Sequence, residues 1–260
     1  MTLIQAIISG VVQGITEFLP VSSSGHLVLL HRYFNLVDSG AFFDICLHVG
    51  TLAAVIVYFR KDIFLIIRER KYLWLSCITV GTVPAVGAAL LFEKNVESFF
   101  SDPRKVVFMF FITALALFAG QLAINRNYRR ATEGKDMNLY SSLFVGLAQA
   151  LALLPGVSRS GMTISAGLIH GMKKETAFRF SFLLSIPVIA GAMIYKMFEN
   201  AATNETLIEN SFIYASGMIT AFLVGLASLP LLLKTVKEGK LYIFGLYCLV
   251  LGAGGVFFVK

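Results

Sequence analysis

The chain has 260 residues, 57% of them apolar and only 14% charged, with a mean hydropathy of +0.78. A soluble globule carries about a quarter charged residues, so that class is excluded and a polytopic helical membrane protein is indicated. The net charge of +7 lies in short runs between apolar stretches, so no nucleic-acid partner is expected.

The first segment, 1–34, holds two short apolar stretches on either side of a Pro/Ser/Gly turn. It lacks a basic leader and carries Gln5, Gln13 and Glu17 with no small-residue cleavage site, so no removable signal peptide is expected. Apolar stretches near 41–59, 74–93 and 105–125 follow, each near the roughly 20 residues that a crossing needs. A second broken segment, 138–171, precedes further stretches near 177–198, 211–233 and 241–259. The fold expected is an all-α integral membrane protein with about six transmembrane helices and two re-entrant helical hairpins. Cys46, Cys77 and Cys248 lie inside apolar spans without metal-ligand spacing and read as small core residues.

The connecting loops alternate in charge. Arg60, Lys61, Arg68, Arg70 and Lys71 make a basic loop, and Glu93–Lys105 is mixed. Arg126, Arg129, Arg130 and Lys135 are basic again, as are Lys173 and Lys174; Glu199–Asn210 is acidic, and Lys234, Lys237 and Lys240 are basic. With the basic loops cytoplasmic, both termini lie outside, the first hairpin enters from outside and the second from the cytoplasm. A hairpin plus three crossings is an odd number per half, so the second half is expected upside down relative to the first. The chain then forms one membrane domain, 1–260, built from an inverted repeat of 1–130 and 135–260.

The two broken segments repeat one another. Gly10–Leu27 reads GVVQGITEFLPVSSSGHL and Gly146–Thr163, 136 positions on, reads GLAQALALLPGVSRSGMT. They match without a gap at Gly10/Gly146, Gln13/Gln149, Val21/Val157, Ser22/Ser158, Ser24/Ser160 and Gly25/Gly161. Backbone that leaves the helix at bilayer depth is tolerated only where it is buried or lines a cavity. Paired breaks in two halves point to the working site.

Within the first segment, Gln5, Ser9, Gln13 and Glu17 recur every four residues, so one helix face carries a polar stripe ending at a carboxylate. Gln5 and Ser9 suit helix–helix hydrogen bonds, whereas an ionisable Glu17 inside a membrane points to function. After Pro20 ends the helix, Ser22, Ser23, Ser24 and Gly25 can cap the next helix and cradle an anion at its N-terminus. His26, in the same turn as Glu17, suits acid/base work. The second turn offers Ser158, Arg159, Ser160, Gly161 and Thr163. Arg159 presents a planar fork of donors suited to phosphate oxygens; the alternative is an ion pair with Glu17, and both can hold in the unliganded state. Asp44 and His48, four apart on the next span, either support the site residues or form an intramembrane polar pair. They also suit a metal, but nothing else completes that site.

Positions 13–26, QGITEFLPVSSSGH, resemble the first signature of the undecaprenyl-diphosphatase family of the bacitracin-resistance type, and PGVSRSGMT at 155–163 resembles its second. The likeness extends over essentially the whole chain. It implies a multi-pass enzyme of the bacterial cytoplasmic (inner) membrane, its site facing the outer side. The enzyme would hydrolyse undecaprenyl diphosphate, drawn from the lipid bilayer, to undecaprenyl phosphate and phosphate, recycling the carrier for cell-wall polymers and conferring bacitracin resistance. A divalent cation, Mg2+ or Ca2+, is implied as cofactor, and a homodimer is a candidate assembly. The resemblance implies catalytic roles for Glu17, Ser23, His26 and Arg159, with Ser22, Ser24, Gly25, Ser158, Ser160 and Thr163 around the substrate. Many members have a second glutamate where this chain has Gln13, so metal ligation would rest on Glu17, the Gln13 carbonyl oxygen and the substrate's own diphosphate.

Two mechanisms are open at this stage. Either Ser23 attacks phosphorus with His26 as base, or a metal-positioned water attacks directly. The competing class is a carrier of anionic lipid, which needs a binding arginine but no pair poised for attack.

Overall fold

The computed structural model describes residues 1–34, 41–100, 102–129, 134–200 and 211–258. These form eleven helices: α1 (Leu3–Thr16), α2 (Ser23–Tyr33), α3 (Ala41–Tyr58), α4 (Arg60–Arg68), α5 (Tyr72–Phe100), α6 (Pro103–Arg129), α7 (Leu139–Leu151), α8 (Arg159–Ile169), α9 (Lys174–Asn200), α10 (Ser211–Glu238) and α11 (Tyr242–Phe258). Among the described residues the sole β feature is an isolated bridge between Lys135 and Met172. The chain is thus an all-α, multi-pass membrane protein. Arg130 and the acidic stretch 201–210 lie outside the described residues.

All six predicted spans are helical, but they are not equivalent. Four are long and apolar enough to cross on their own, in α5, α6, α9 and α10. A fifth crossing arises if α3 and α4, bent by 64° at their junction, count as one span. α11 has 17 residues, a little short of the roughly 20 for a perpendicular crossing. The first basic loop is largely helix: α4 occupies Arg60–Arg68, buries Ile66 and leaves Phe64 and Ile67 exposed. Charge marks the side of the membrane, and a charged stretch with apolar residues every few positions can still be helical. The mixed loop is also mostly helical, because α5 runs to Phe100 past a break at Phe92 and α6 begins at Pro103.

α1 has 14 residues and α7 has 13. At about 1.5 Å per residue neither reaches across a hydrocarbon core of about 30 Å. Each packs against the helix that follows its turn, α1 on α2 and α7 on α8. Their long-range partners are exchanged: α1 lies along α10, and α7 lies along α5. The contact is made by the same small residues twice. A Cβ on Gly10 would come 2.5 Å from the Gly217 carbonyl oxygen, and one on Gly146 would come 2.5 Å from that of Gly81. Gly10 and Gly146 are 136 apart, as are Gly81 and Gly217. Small residues are how membrane helices approach closely when water exclusion between them supplies no drive. α6 completes the frame by packing on α2, α8 and α11. Phe18, Phe59, Phe178 and Phe182 form an aromatic cluster, with Phe178 and Phe182 centroids 4.9 Å apart.

Gly10→Val and Gly146→Val should each lower stability by about 1–3 kcal/mol, the usual cost of overpacking, because backbone blocks the added atoms. Gly87, where an added Cβ would meet nothing within 4 Å, is the control, and Gly87→Ala should not lower it. Thermal unfolding in detergent measures all three; equal midpoints throughout would refute the close packing of α1 and α7.

Candidate active site

Both broken helices end in turns that restart on a serine cap. Ser22 caps α2 by accepting from Gly25 N at 3.3 Å, and Ser158 caps α8 by accepting from Gly161 N at 3.1 Å. Capping therefore accounts for one hydroxyl in each turn. The turns lie against one another: a Cβ on Gly25 would come 3.0 Å from Gly156 Cα, and Gly156 itself adopts φ +93°. The second turn is pinned by Thr113 of α6, which donates to Gly156 O and accepts from Ser158 N, both at 2.9 Å.

This contact brings Glu17, Ser23 and Arg159 together. Arg159 Nη2 donates to Glu17 Oε1 at 2.6 Å. Ser23 Oγ donates to Glu17 Oε2, also at 2.6 Å, and Gln13 Nε2 donates to the same oxygen at 3.2 Å. His48 Nε2 stands 3.9 Å from Oε2, so the α3 histidine belongs to the surroundings of the carboxylate. Thr51 completes the group by accepting from Gln13 Nε2 at 3.5 Å. The site is nearly closed: 7% of the Glu17 side chain and 14% of that of Arg159 are exposed. The Arg159 guanidinium lies over the Phe182 ring at 5.8 Å.

Two buried polar atoms here find no hydrogen-bond partner among the described residues, Arg159 Nη1 and Gln13 Oε1. Leaving a buried polar group unpaired costs about 1–3 kcal/mol, more when it is charged. The cluster is therefore one donor and one acceptor short of satisfaction. Nη1 suits an anion such as phosphate. Among the described residues no three His, Cys, Asp or Glu side chains gather to hold a metal ion. The Gln13 carbonyl oxygen and Glu17 do suit a hard cation that takes most of its oxygens from elsewhere.

Other expected site residues stand apart. His26 is not joined to Ser23: its Nδ1–H donates to Ser22 O at 2.7 Å, and its Nε2 pairs with Tyr247 OH at 2.8 Å. In this structure the group in contact with the Ser23 hydroxyl is Glu17 rather than His26. The Thr163 hydroxyl is committed to Ser181 at 2.6 Å and to Arg159 O at 2.8 Å, so it braces α8 against α9. Ser24 and Ser160 stay within their turns, 3.4 Å from Ser22 Oγ and 3.3 Å from Ser158 Oγ respectively. Asp44 faces His31 of α2, with Oδ1 3.9 Å from Nε2. Nothing in the sequence singles out Thr51, Thr113, Tyr247 or the link from His48 to Glu17; the four-residue spacing of Asp44 and His48 is the nearest signal.

Arg159→Ala should destabilise the protein by about 3–5 kcal/mol, because it strands a buried carboxylate. Adding Glu17→Gln should restore much of that loss. Equal melting temperatures for the single and double variants would show that the carboxylate is not held by this pair.

Residues 6–254 match the family described as bacitracin resistance protein BacA. The chain is 38% identical to an undecaprenyl-diphosphatase of Moorella thermoacetica, covering 97% of this chain and 96% of that protein. It is 40% identical to an undecaprenyl-diphosphatase of Treponema denticola, covering 98% and 96%. A third, from Korarchaeum cryptofilum, is 38% identical over 97% of each.

Proposed function

The chain belongs to the bacitracin resistance protein family, and on that premise we propose that Glu17, Ser23 and Arg159 remove the terminal phosphate of undecaprenyl diphosphate. The products are undecaprenyl phosphate and inorganic phosphate. Recycling of this lipid carrier serves cell-wall polymer synthesis, and bacitracin resistance follows from the same reaction.

One observation carries the mechanism: the Ser23 hydroxyl donates to Glu17 Oε2 at 2.6 Å beside an arginine with a donor to spare. In that arrangement Ser23 is the nucleophile and Glu17 its base. Ser23 Oγ attacks the terminal phosphorus as its proton passes to Glu17. The bond from phosphorus to the bridging oxygen breaks, and the departing lipid phosphate takes that oxygen and then the proton. Water next attacks the phosphoserine, giving a proton to Glu17, which returns it to Ser23 Oγ as phosphate leaves. Arg159 binds the transferred group through Nη1 and neutralises its charge through the displacement. Glu17 and the Gln13 carbonyl oxygen are the groups of this chain that would hold a divalent cation, and Mg2+ or Ca2+ there would supply further charge neutralisation.

The exchanged glycine contacts at the 136-residue offset support the reading of two inverted halves. The charge rule supports a site open to the outer side of the cytoplasmic membrane: Asp44 and His48, beside the Glu17 cluster, lie nearer the start of α3, away from the basic end that the rule makes cytoplasmic. A pure lipid carrier needs the arginine but has no use for a serine hydrogen-bonded to a buried carboxylate.

The test is phosphate release from a polyprenyl diphosphate by purified protein in detergent, with Mg2+, with Ca2+ and with chelator. Wild type should release phosphate only with cation. Ser23→Ala should be inactive, and Arg159→Lys should lose about 10²–10³-fold, as for loss of a transition-state donor. Release by Ser23→Ala near the wild-type rate would replace the serine route by direct attack of water. No release by folded wild type would favour the carrier.

A further inference from the structure

The first turn is strained where the second is not. Ser22 adopts φ 69°, ψ 96°, a region that a residue with a Cβ enters only when its surroundings hold it there. Among the described non-glycine residues only Arg70 shares a positive φ. At the matched position Ser158 has φ −76°, ψ 118°, and the second turn instead puts its positive φ on Gly156. Both serine carbonyls accept the helical bond from four residues on, His26 N at 3.2 Å and Met162 N at 2.9 Å. Only the Ser22 carbonyl takes a second, shorter bond, 2.7 Å from the His26 ring.

That ring is held from three sides. A carbonyl oxygen can only accept, so Nδ1 carries the proton, and in the neutral ring Nε2 accepts from the Tyr247 hydroxyl. The Tyr247 ring runs parallel to it within 6°, with centroids 5.7 Å apart. Phe110 of α6 meets it edge-on at 5.4 Å. Tyr247 belongs to α11, 221 positions away in sequence.

We infer that Tyr247 and His26 are positioning residues: they form a clasp that holds the strained Ser22 carbonyl and thereby aims Ser23, the next residue, at Glu17. The second turn needs no clasp, because its glycine takes the positive φ without a side-chain penalty, and it carries Met162 where the first turn has His26. The inference rests on the reading of Ser23 as nucleophile, and the experiment separates the two.

Kinetics of phosphate release from a polyprenyl diphosphate are measured for His26→Leu, His26→Asn, Tyr247→Phe, Ser22→Gly/His26→Leu and Ser23→Ala, each checked for a monodisperse, folded state. A misaimed nucleophile costs about 10²-fold, so His26→Leu should lose that much in kcat with little change in KM. Asparagine places a donor where Nδ1 was but offers no basic nitrogen, so His26→Asn should stay within about tenfold of wild type. Tyr247→Phe keeps the ring and loses the hydroxyl, and a loss of about threefold to tenfold in kcat is expected. Glycine accepts a positive φ, so Ser22→Gly should raise the activity of His26→Leu by about tenfold, a coupling that acid/base chemistry would not produce.

The clasp is overturned if His26→Asn is as inactive as a folded His26→Leu, which would make the imidazole itself the reactive group. It is also overturned if Ser22→Gly fails to raise His26→Leu. Should His26→Leu not fold, His26→Asn decides alone: activity within about tenfold of wild type supports the clasp, and a loss of about 10²-fold overturns it. Activity in Ser23→Ala sinks the nucleophile reading, whatever the histidine variants do.

Discussion

The contact between Glu17 and Arg159 is the interaction on which the site depends. Each charge loses several kcal/mol of hydration on burial, and a buried pair is tolerable only where geometry and further hydrogen bonds repay it. Repayment is uneven. Glu17 accepts from Arg159, Ser23 and Gln13, so the carboxylate is close to saturated. Arg159 keeps a buried nitrogen without a partner among the described residues. The pair thus stores its unmet demand on the cationic side, which is where a phosphate brings oxygens. In the proposed reaction, an anion bound to Arg159 would lessen the pull of the guanidinium on Glu17 and leave the carboxylate freer to take a proton from Ser23.

Bringing two turns together inside a bilayer imposes a second constraint, on packing. Short helices that stop at mid-membrane cannot be anchored at a far interface, so they need neighbours that hold them along their length. α1 and α7 obtain this by lying on the long helices α10 and α5, with glycine allowing backbone to approach backbone. The glycine contacts recur at the 136-residue offset, but not all the polar residues of the two turns do. Where the first turn has Glu17, Ser23 and His26, the second has Leu153, Arg159 and Met162. Two identical turns would bring like charges face to face: of two carboxylates one would have to take a proton, and two guanidiniums would stay charged and repel. Divergence at these few positions turns a repeat into a complementary pair.

Much of this was legible in one sequence because a membrane makes polar residues conspicuous. Glu17 and Arg159 stand out on cost alone, and the breaks at Pro20 and Pro155 mark both turns. What could not be read is where side chains turn once they arrive. His26 shares a turn with Ser23, yet its ring is captured by Tyr247 from the far end of the chain. Threonines hide for a different reason. Thr16, Thr82 and Thr235 return their hydroxyls to the carbonyl four residues back, the ordinary fate of a threonine in an apolar helix. Thr113 and Thr51 have similar surroundings in sequence but also reach other segments. α4 is hidden because its charges dominate the signal, although it carries apolar residues, Phe64 and Ile67 among them.

Gln149 shows how far the two halves have drifted. It occupies the place of Gln13 and is 1% exposed, yet both of its amide atoms lack a partner among the described residues. In the first half the amide nitrogen is satisfied by Glu17, four residues on; in the second that position is Leu153. A buried amide without partners costs about 1–3 kcal/mol per unsatisfied group, so helix packing alone does not account for it. The second half retains the glutamine of a polar cluster whose carboxylate it does not have. The first half uses the same residue to orient Glu17 and to leave a carbonyl oxygen free. One glutamine therefore has its amide nitrogen paired and the other is a buried cost, and the difference between them is a single carboxylate four residues away.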